Sequence, residues 1–223
     1  DGHETTARDI AIMSRELITR YPDIFNYTSI WTDTIIHKTR RGEKEFGLVN
    51  TNKFLRQYQG ATGLKTGYTS TAHYCISATA NRNGVKLIAV VMGADTKENR
   101  NTDAAKLLDY GFARCYAYTD KKILQKNDIK VLNGDREYVK ITSVSDFNAV
   151  LLNGEKAEDV KKELVLYDDE LKAPLKKGDC IGYVKYTVGD RTIGMVAVNT
   201  GEAVGEKTYM YGMQTMFEHI IRK

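Results

Sequence analysis

The chain has 223 residues, 42% hydrophobic and 28% charged, with 2 prolines and 18 glycines. That is the balance of an ordinary globular protein with one large or two small domains, and it excludes a disordered linker or a membrane-spanning bundle. The net charge of +4 arises from 33 basic residues interleaved with 29 acidic ones, so no basic block marks a nucleic-acid surface.

The first element is a helix. In "DGHETTARDIAIMSRELITRYP", Thr6 is an N-cap with Asp9 three residues on, as in a capping box. Ala7, Ile10, Ala11, Leu17 and Ile18 form one apolar face, and Pro22 lies just past the end. The chain begins with Asp and enters this helix at once, which reads as a chain cut from something longer.

Residues 27–56 read as a polar hairpin turning at Arg41-Gly42-Glu43. After a Gly-rich run, "HYCISATA" alternates Tyr74, Ile76, Ala78 and Ala80 on one face. Asn83-Gly84 is a two-residue hairpin turn, and "VKLIAVVMG" is a return strand apolar enough for the middle of a sheet. "ADTKENRN" is expected to be a polar loop, followed by a helix from about Thr102 with Leu107 and Leu108 facing inward and Gly111 as its stop. From about 118 to 198 short strands recur between turn signals such as Asn133-Gly134, Asn153-Gly154 and Gly189-Asp190, the pattern of a small β-sandwich or barrel. The expected fold class is therefore α+β, an antiparallel sheet with helices over 1–117 and an all-β unit over 118–200. A tail over 201–223 returns to helical period, with Met210, Met213, Met216, Phe217 and Ile220 on one arc from 208 onward. It suits either packing on protein or lying in a membrane interface.

Cys75, Cys115 and Cys180 cannot all pair and have no Cys-x-x-Cys spacing, so they are read as free, mostly buried thiols. The four histidines are scattered without ligand spacing, which argues against a zinc or iron site, and no cofactor is expected.

"GATGLKTGYTSTAHY" carries the chemistry. A phosphate loop needs Gly directly before Lys-[Ser/Thr] and a helix after it. Here Leu64 precedes Lys65 and a strand follows, so that reading fails. The other reading is a strand beside a groove. Lys65 would supply a positive charge for a carboxylate and for proton transfer at a serine, Thr66 a hydroxyl donor, and Gly67 a bare surface on which a peptide lies as an added strand. Strict strand alternation sends Lys65 and Thr66 to opposite faces, so both reach one groove only at a sheet edge or a twist.

With "GHETTARDIAIMSRELI", "GLVNTNKFL", "AAKLLDYGFARCY" and "APLKKGDCIGYVKY" in this order, the chain closely resembles the low-molecular-mass penicillin-binding proteins, serine-type D-alanyl-D-alanine carboxypeptidases, over nearly its whole length. The resemblance implies an acyl-enzyme mechanism on peptidoglycan stem peptides, inhibition by β-lactams, and a place outside the cytoplasmic membrane with the tail, 208–223, as a candidate anchor. It assigns Lys65 a catalytic role, and Thr66, Gly67, Tyr68 and Thr69 a substrate-binding one, the Tyr68 N–H completing an oxyanion hole. Thr51 and Asn52 match a loop lining the cleft, and His3 matches a histidine read as structural. At His73 the family usually has Gly, which puts the local backbone conformation in question.

The family's nucleophile lies in Ser-x-x-Lys and is assisted by Ser-x-Asn. Ser14, Ser29, Ser70, Ser77, Ser143 and Ser145 are the only serines, and none has Lys three or Asn two positions on. The nucleophile is therefore expected in a preceding part of the same domain, which becomes a partner of this chain. The alternative is a non-catalytic wall-binding or scaffold protein derived from the family.

Overall fold

The computed structural model describes residues 2, 4–40, 42–123, 128–208, 213 and 221. His3 and nearly all of the expected tail helix lie outside the described residues. The chain divides into two compact units, Asp1–Tyr116 and Ala117–Lys223.

The first unit opens with α1 (Ala7–Arg20), whose capping box is formed in both directions between Thr6 and Asp9. Its buried side is narrower than the apolar residues suggest. Ser14 is the one buried residue of the helix, while Leu17 is exposed. A short turn (Pro22–Ile24) and α2 (Phe25–Thr28) lead to a hairpin of β1 (Thr32–Thr39) and β2 (Gly42–Val49). Among the described residues, no other element packs substantially on this hairpin, and Ile35, Ile36, Phe46 and Leu48 stay exposed.

After α3 (Phe54–Gln57) comes a three-stranded antiparallel sheet in the order β3 (Ala61–Thr69), β4 (His73–Arg82), β5 (Val85–Ala94). The β4–β5 turn places Asn83 at φ 50° and Gly84 at φ 80°, the geometry that Asn-Gly favours. β4, not β5, is the middle strand. β5 is apolar from Leu87 to Ala94 because α1 and α4 (Lys97–Phe112) both pack against it. The "KENRN" segment, expected as loop, forms the first turns of α4, capped by the Thr96 side chain on the Asn99 N–H. With that start, Leu107 turns outward (51% exposed), and Ala104 and Leu108 join Phe54, Ile76, Ala78 and Ala80 in the core. Truncating a fully buried side chain such as Leu108 to alanine costs about 2–5 kcal/mol.

Over its described residues up to 208 the second unit is all-β apart from one short turn at Ala157–Asp159. β10 (Val160–Leu166), β12 (Cys180–Val188), β13 (Arg191–Thr200), β8 (Tyr138–Ser143), β7 (Asp128–Leu132) and β11 (Leu171–Lys172) form one sheet in that order. β6 (Cys115–Asp120) pairs with β9 (Phe147–Leu152). Alternate residues of β12 and β13, among them Val184, Tyr186, Val196 and Val198, fill the core with Val139 and Phe147. The rings of Phe147 and Tyr186 stack at 3.7 Å. Tyr186 donates to Asp120 at 2.8 Å, and Lys162 forms an ion pair with the same carboxylate.

The three thiols are free, but they are not mostly buried: Cys75 and Cys115 are half-buried and Cys180 is exposed. Cys180 opens β12 next to an irregularity in the pairing with β13, where the strand has not yet entered the core.

Candidate functional site

β3 is an edge strand. Its first residues are covered: Thr28 donates to the Thr62 carbonyl at 3.0 Å. A Cβ on Gly63 would come within 2.8 Å of the Thr28 hydroxyl oxygen, so only glycine allows that approach. From Lys65 to Thr69 the outer side pairs with no other described strand. A free strand edge offers main-chain donors and acceptors to an incoming extended peptide.

Directly opposed residues in an antiparallel pair share a face. Lys65 opposes Ser77, whose hydroxyl lies 2.7 Å from that of Ser14 on α1, so Lys65 belongs to the α1 face. Thr66 opposes Ile76, which packs with Ala104 and Leu108, so Thr66 belongs to the α4 face and is buried. The alternation expected from sequence therefore holds, and the two side chains bracket the open edge from opposite faces. The Lys65 ammonium donates to the Thr66 carbonyl. Ser14 and Ser77 are both buried, and among the described residues neither hydroxyl touches a base.

Gly67 carries the clearest negative information. Its φ is ordinary, and a Cβ there would meet nothing within 4 Å, so nothing in the described chain requires a glycine. Tyr68 follows, 59% exposed, with its ring 4.5 Å from that of its cross-strand partner Tyr74. Thr69 accepts from the Ala72 N–H at 2.9 Å and closes the turn into β4. His73 occupies the left-handed region at φ 54°, the conformation a glycine would take there.

Two predicted residues sit on the loop between β2 and α3. Thr51 is exposed, whereas Asn52 is buried (3% exposed), and neither polar atom of its side-chain amide has a partner among the described residues. Its backbone N–H is held by the Asn50 side chain at 2.9 Å.

Arg100 is a residue that sequence reasoning missed. It is 5% exposed, on the same stripe of α4 as Ala104 and Leu108, and therefore on the face that holds Thr66. Among the described residues no carboxylate pairs with it; its Nε and Nη2 donate to the Asn101 side-chain oxygen at 3.0 and 2.9 Å. Arg82 in the same unit is the contrast, for it is paired with Asp109 at 3.1 Å. Burial draws the Arg100 guanidinium below its ordinary pKa, opposed by the nearby Cys75, Glu98 and Tyr74. A buried cation with no directly bonded carboxylate among the described residues is costly, and fits a place where an anion docks. The signal was present in sequence as a period: Arg100, Ala104 and Leu108 recur every four residues, visible once the helix starts at Thr96.

Residues 1–96 match the family described as D-alanyl-D-alanine carboxypeptidase, and residues 118–206 match the C-terminal domain of penicillin-binding protein 5. The chain is 36% identical to the D-alanyl-D-alanine carboxypeptidase DacF of Bacillus subtilis over 82% of this chain and 46% of that protein. It is 30% identical to DacA of Haemophilus influenzae over 91% of this chain and 50% of that protein. The solved structure of penicillin binding protein 5 from Haemophilus influenzae superposes with a TM-score of 0.67 at 30% identity, covering 91% of this chain and 57% of that one. The chain spans about half the length of the curated relatives it matches.

Proposed function

We propose, for a chain that belongs to the low-molecular-mass penicillin-binding proteins, that its first unit supplies the Lys-Thr-Gly half of a serine-type D-alanyl-D-alanine carboxypeptidase site and its second unit the accompanying β-domain. The observation that carries the reading is the open edge of β3, flanked by Lys65 on one face and Thr66 on the other, with Gly67 bare between that pair and Tyr68.

A stem peptide ending in D-Ala-D-Ala lies along this edge as an added strand. Its terminal carboxylate is taken by the Thr66 hydroxyl and the Arg100 guanidinium, while the Tyr68 N–H points at the developing oxyanion. Lys65 provides positive charge for proton transfer to and from the nucleophile. The serine attacks the carbonyl carbon, D-alanine leaves, and water hydrolyses the acyl-enzyme. β-Lactams occupy the same edge. Thr51 and Asn52 border it, and the unpartnered Asn52 amide is consistent with a group that receives its hydrogen bonds from outside the described residues.

None of the six serines stands in Ser-x-x-Lys or Ser-x-Asn, so the nucleophile comes from a preceding segment of the same domain. The exposed apolar side chains of the hairpin, Ile35, Phe46 and Leu48 among them, offer a surface that such a segment would cover. The reaction belongs outside the cytoplasmic membrane, on the peptidoglycan side. No helix among the described residues is long and apolar enough to cross a membrane, and 208–223 is the candidate peripheral anchor.

Incubation with a fluorescent penicillin tests the assignment. The chain alone is expected to stay unlabelled, and the same chain joined to its preceding segment to be labelled in a Lys65-dependent manner. Covalent labelling of the chain alone would sink the reading. Flotation with anionic liposomes, with and without 208–223, tests the anchor, which equal flotation would remove.

A further inference from the structure

Among the described residues, the Arg100 guanidinium donates only to an amide. Its Nε and Nη2 converge on one oxygen of Asn101, and the Asn101 Nδ2 donates to the Gln57 side-chain oxygen at 2.5 Å. The polarity of this chain is forced. A guanidinium only donates, so the Asn101 atom facing it must be the oxygen; the amide nitrogen then faces Gln57, which must answer with its own oxygen. Gln57 is anchored at the other end. It closes α3, whose Phe54 is 1% exposed and stacks on Tyr58 at 5.0 Å, and Tyr58 donates to Asp109 of α4 at 2.7 Å. α3 is thereby fixed to α4 at both ends of the shared core, and the relay from Gln57 through Asn101 to Arg100 has a rigid base.

We propose that Gln57 and Asn101 are positioning residues that aim the Arg100 guanidinium at the β3 edge without bonding a carboxylate to it. This rests on the reading above, in which Arg100 takes the terminal carboxylate. A carboxylate in place of Asn101 would orient the guanidinium equally well and would also neutralise it, removing what the ligand needs. Two neutral amides in series fix direction without consuming charge. Gln57 is exposed, and its one side-chain hydrogen bond among the described residues is to Asn101, so it reaches Arg100 through that amide.

The test uses the 223-residue chain, with side-chain NMR of arginine Nε–H groups and titration with N-acetyl-D-alanyl-D-alanine. Arg100 is assigned by the signal lost in Arg100→Lys. In the unaltered chain that Nε–H is expected to exchange slowly. Gln57→Ala, at an exposed position that does not endanger folding, is expected to speed its exchange and shift its resonance. The same variant is expected to weaken peptide binding about three- to tenfold, the worth of one hydrogen bond. Gln57→Glu, which can still accept from Asn101, is expected to restore the resonance. Asn101→Asp is expected to keep the slow exchange yet lose the peptide. An unchanged Arg100 resonance in Gln57→Ala overturns the relay, and undiminished peptide binding in Asn101→Asp overturns its need for neutrality. If Arg100→Ala binds the peptide as well as the unaltered chain, the carboxylate reading itself falls, while the resonances still decide whether the relay exists.

Discussion

Ser14 on α1 and Ser77 on β4 join their hydroxyls at 2.7 Å, both buried, on the same face of the sheet as Lys65. Removing one partner leaves the other hydroxyl without its bond in a buried place, whereas removing both leaves only a small loss of contact. Ser77→Ala is expected to lower unfolding stability by about 1–3 kcal/mol, and Ser14→Ala/Ser77→Ala by clearly less than the sum of the two single changes. Urea denaturation of the four proteins measures this. Strict additivity would show that the pair contributes nothing as a pair.

His73 bears a left-handed backbone at φ 54° that a side chain disfavours. His73→Gly is expected to hold stability level or raise it by roughly 0.5 kcal/mol, its relief of strain offset by a more flexible unfolded chain. His73→Val, β-branched in the same conformation, is expected to lose about 1–2 kcal/mol. Equal urea midpoints for all three would remove the strain argument.

Asp120 gives the second unit a pH dependence of known sign. Burial pushes its carboxyl upward, but hydrogen bonds from Lys162, Tyr186 and the Lys122 N–H together outweigh burial and hold its pKa below the ordinary value. A depressed folded-state value means stability that is present above the unfolded pKa of about 4 and is lost as pH falls through the folded value. Tyr186 runs the other way. Burial first, then its bond to Asp120, raises its pKa, so its contribution persists below about pH 10 and disappears only in stronger alkali. Asp120→Asn is expected to lower stability at neutral pH by about 2 kcal/mol and to flatten the acid limb of the Tm–pH profile. An unchanged acid limb would mean that another carboxylate sets it.

Gly67→Val separates fold from function. With no atom within 4 Å of the added Cβ, stability is expected to stay within about 0.5 kcal/mol of the original or improve slightly, since glycine is a poor strand residue. Titration with N-acetyl-D-alanyl-D-alanine is expected to lose its effect on the amides of 65–69. Normal peptide binding by the Gly67→Val variant would show that the bare strand surface is not where the ligand lies.

Local chemistry was easiest to read in sequence. The Thr6–Asp9 capping box and the Asn83-Gly84 turn are decided by residues within a few positions of each other, and both formed as expected. The strands of the second unit were legible because turn residues separate alternating runs. What escaped depended on distant partners. The start of α4 was hidden because its first two turns are polar, and with it went the outward turn of Leu107 and the inward turn of Arg100. The edge position of β5 was hidden because helices on both faces give it the apolar run of a central strand. Lys65, Thr66 and Gly67 were singled out by their chemistry, and they lie on the open edge of β3. The Gln57–Asn101–Arg100 chain was not, since Gln57 lies 44 positions from Asn101 and the amides that join them carry no motif.

The hairpin of β1 and β2 has a consequence for how the molecule breathes. Its two eight-residue strands are held by their own ladder and by Asn50 bonding back to Ile30 and Trp31, with no core beneath them among the described residues. A two-stranded ladder of that kind is marginal in water. Its amides should exchange with solvent through openings far cheaper than unfolding of the unit, and a protease should cut there first. The sheet that carries Lys65 would outlast that cut, because its strands are locked to helices on both faces.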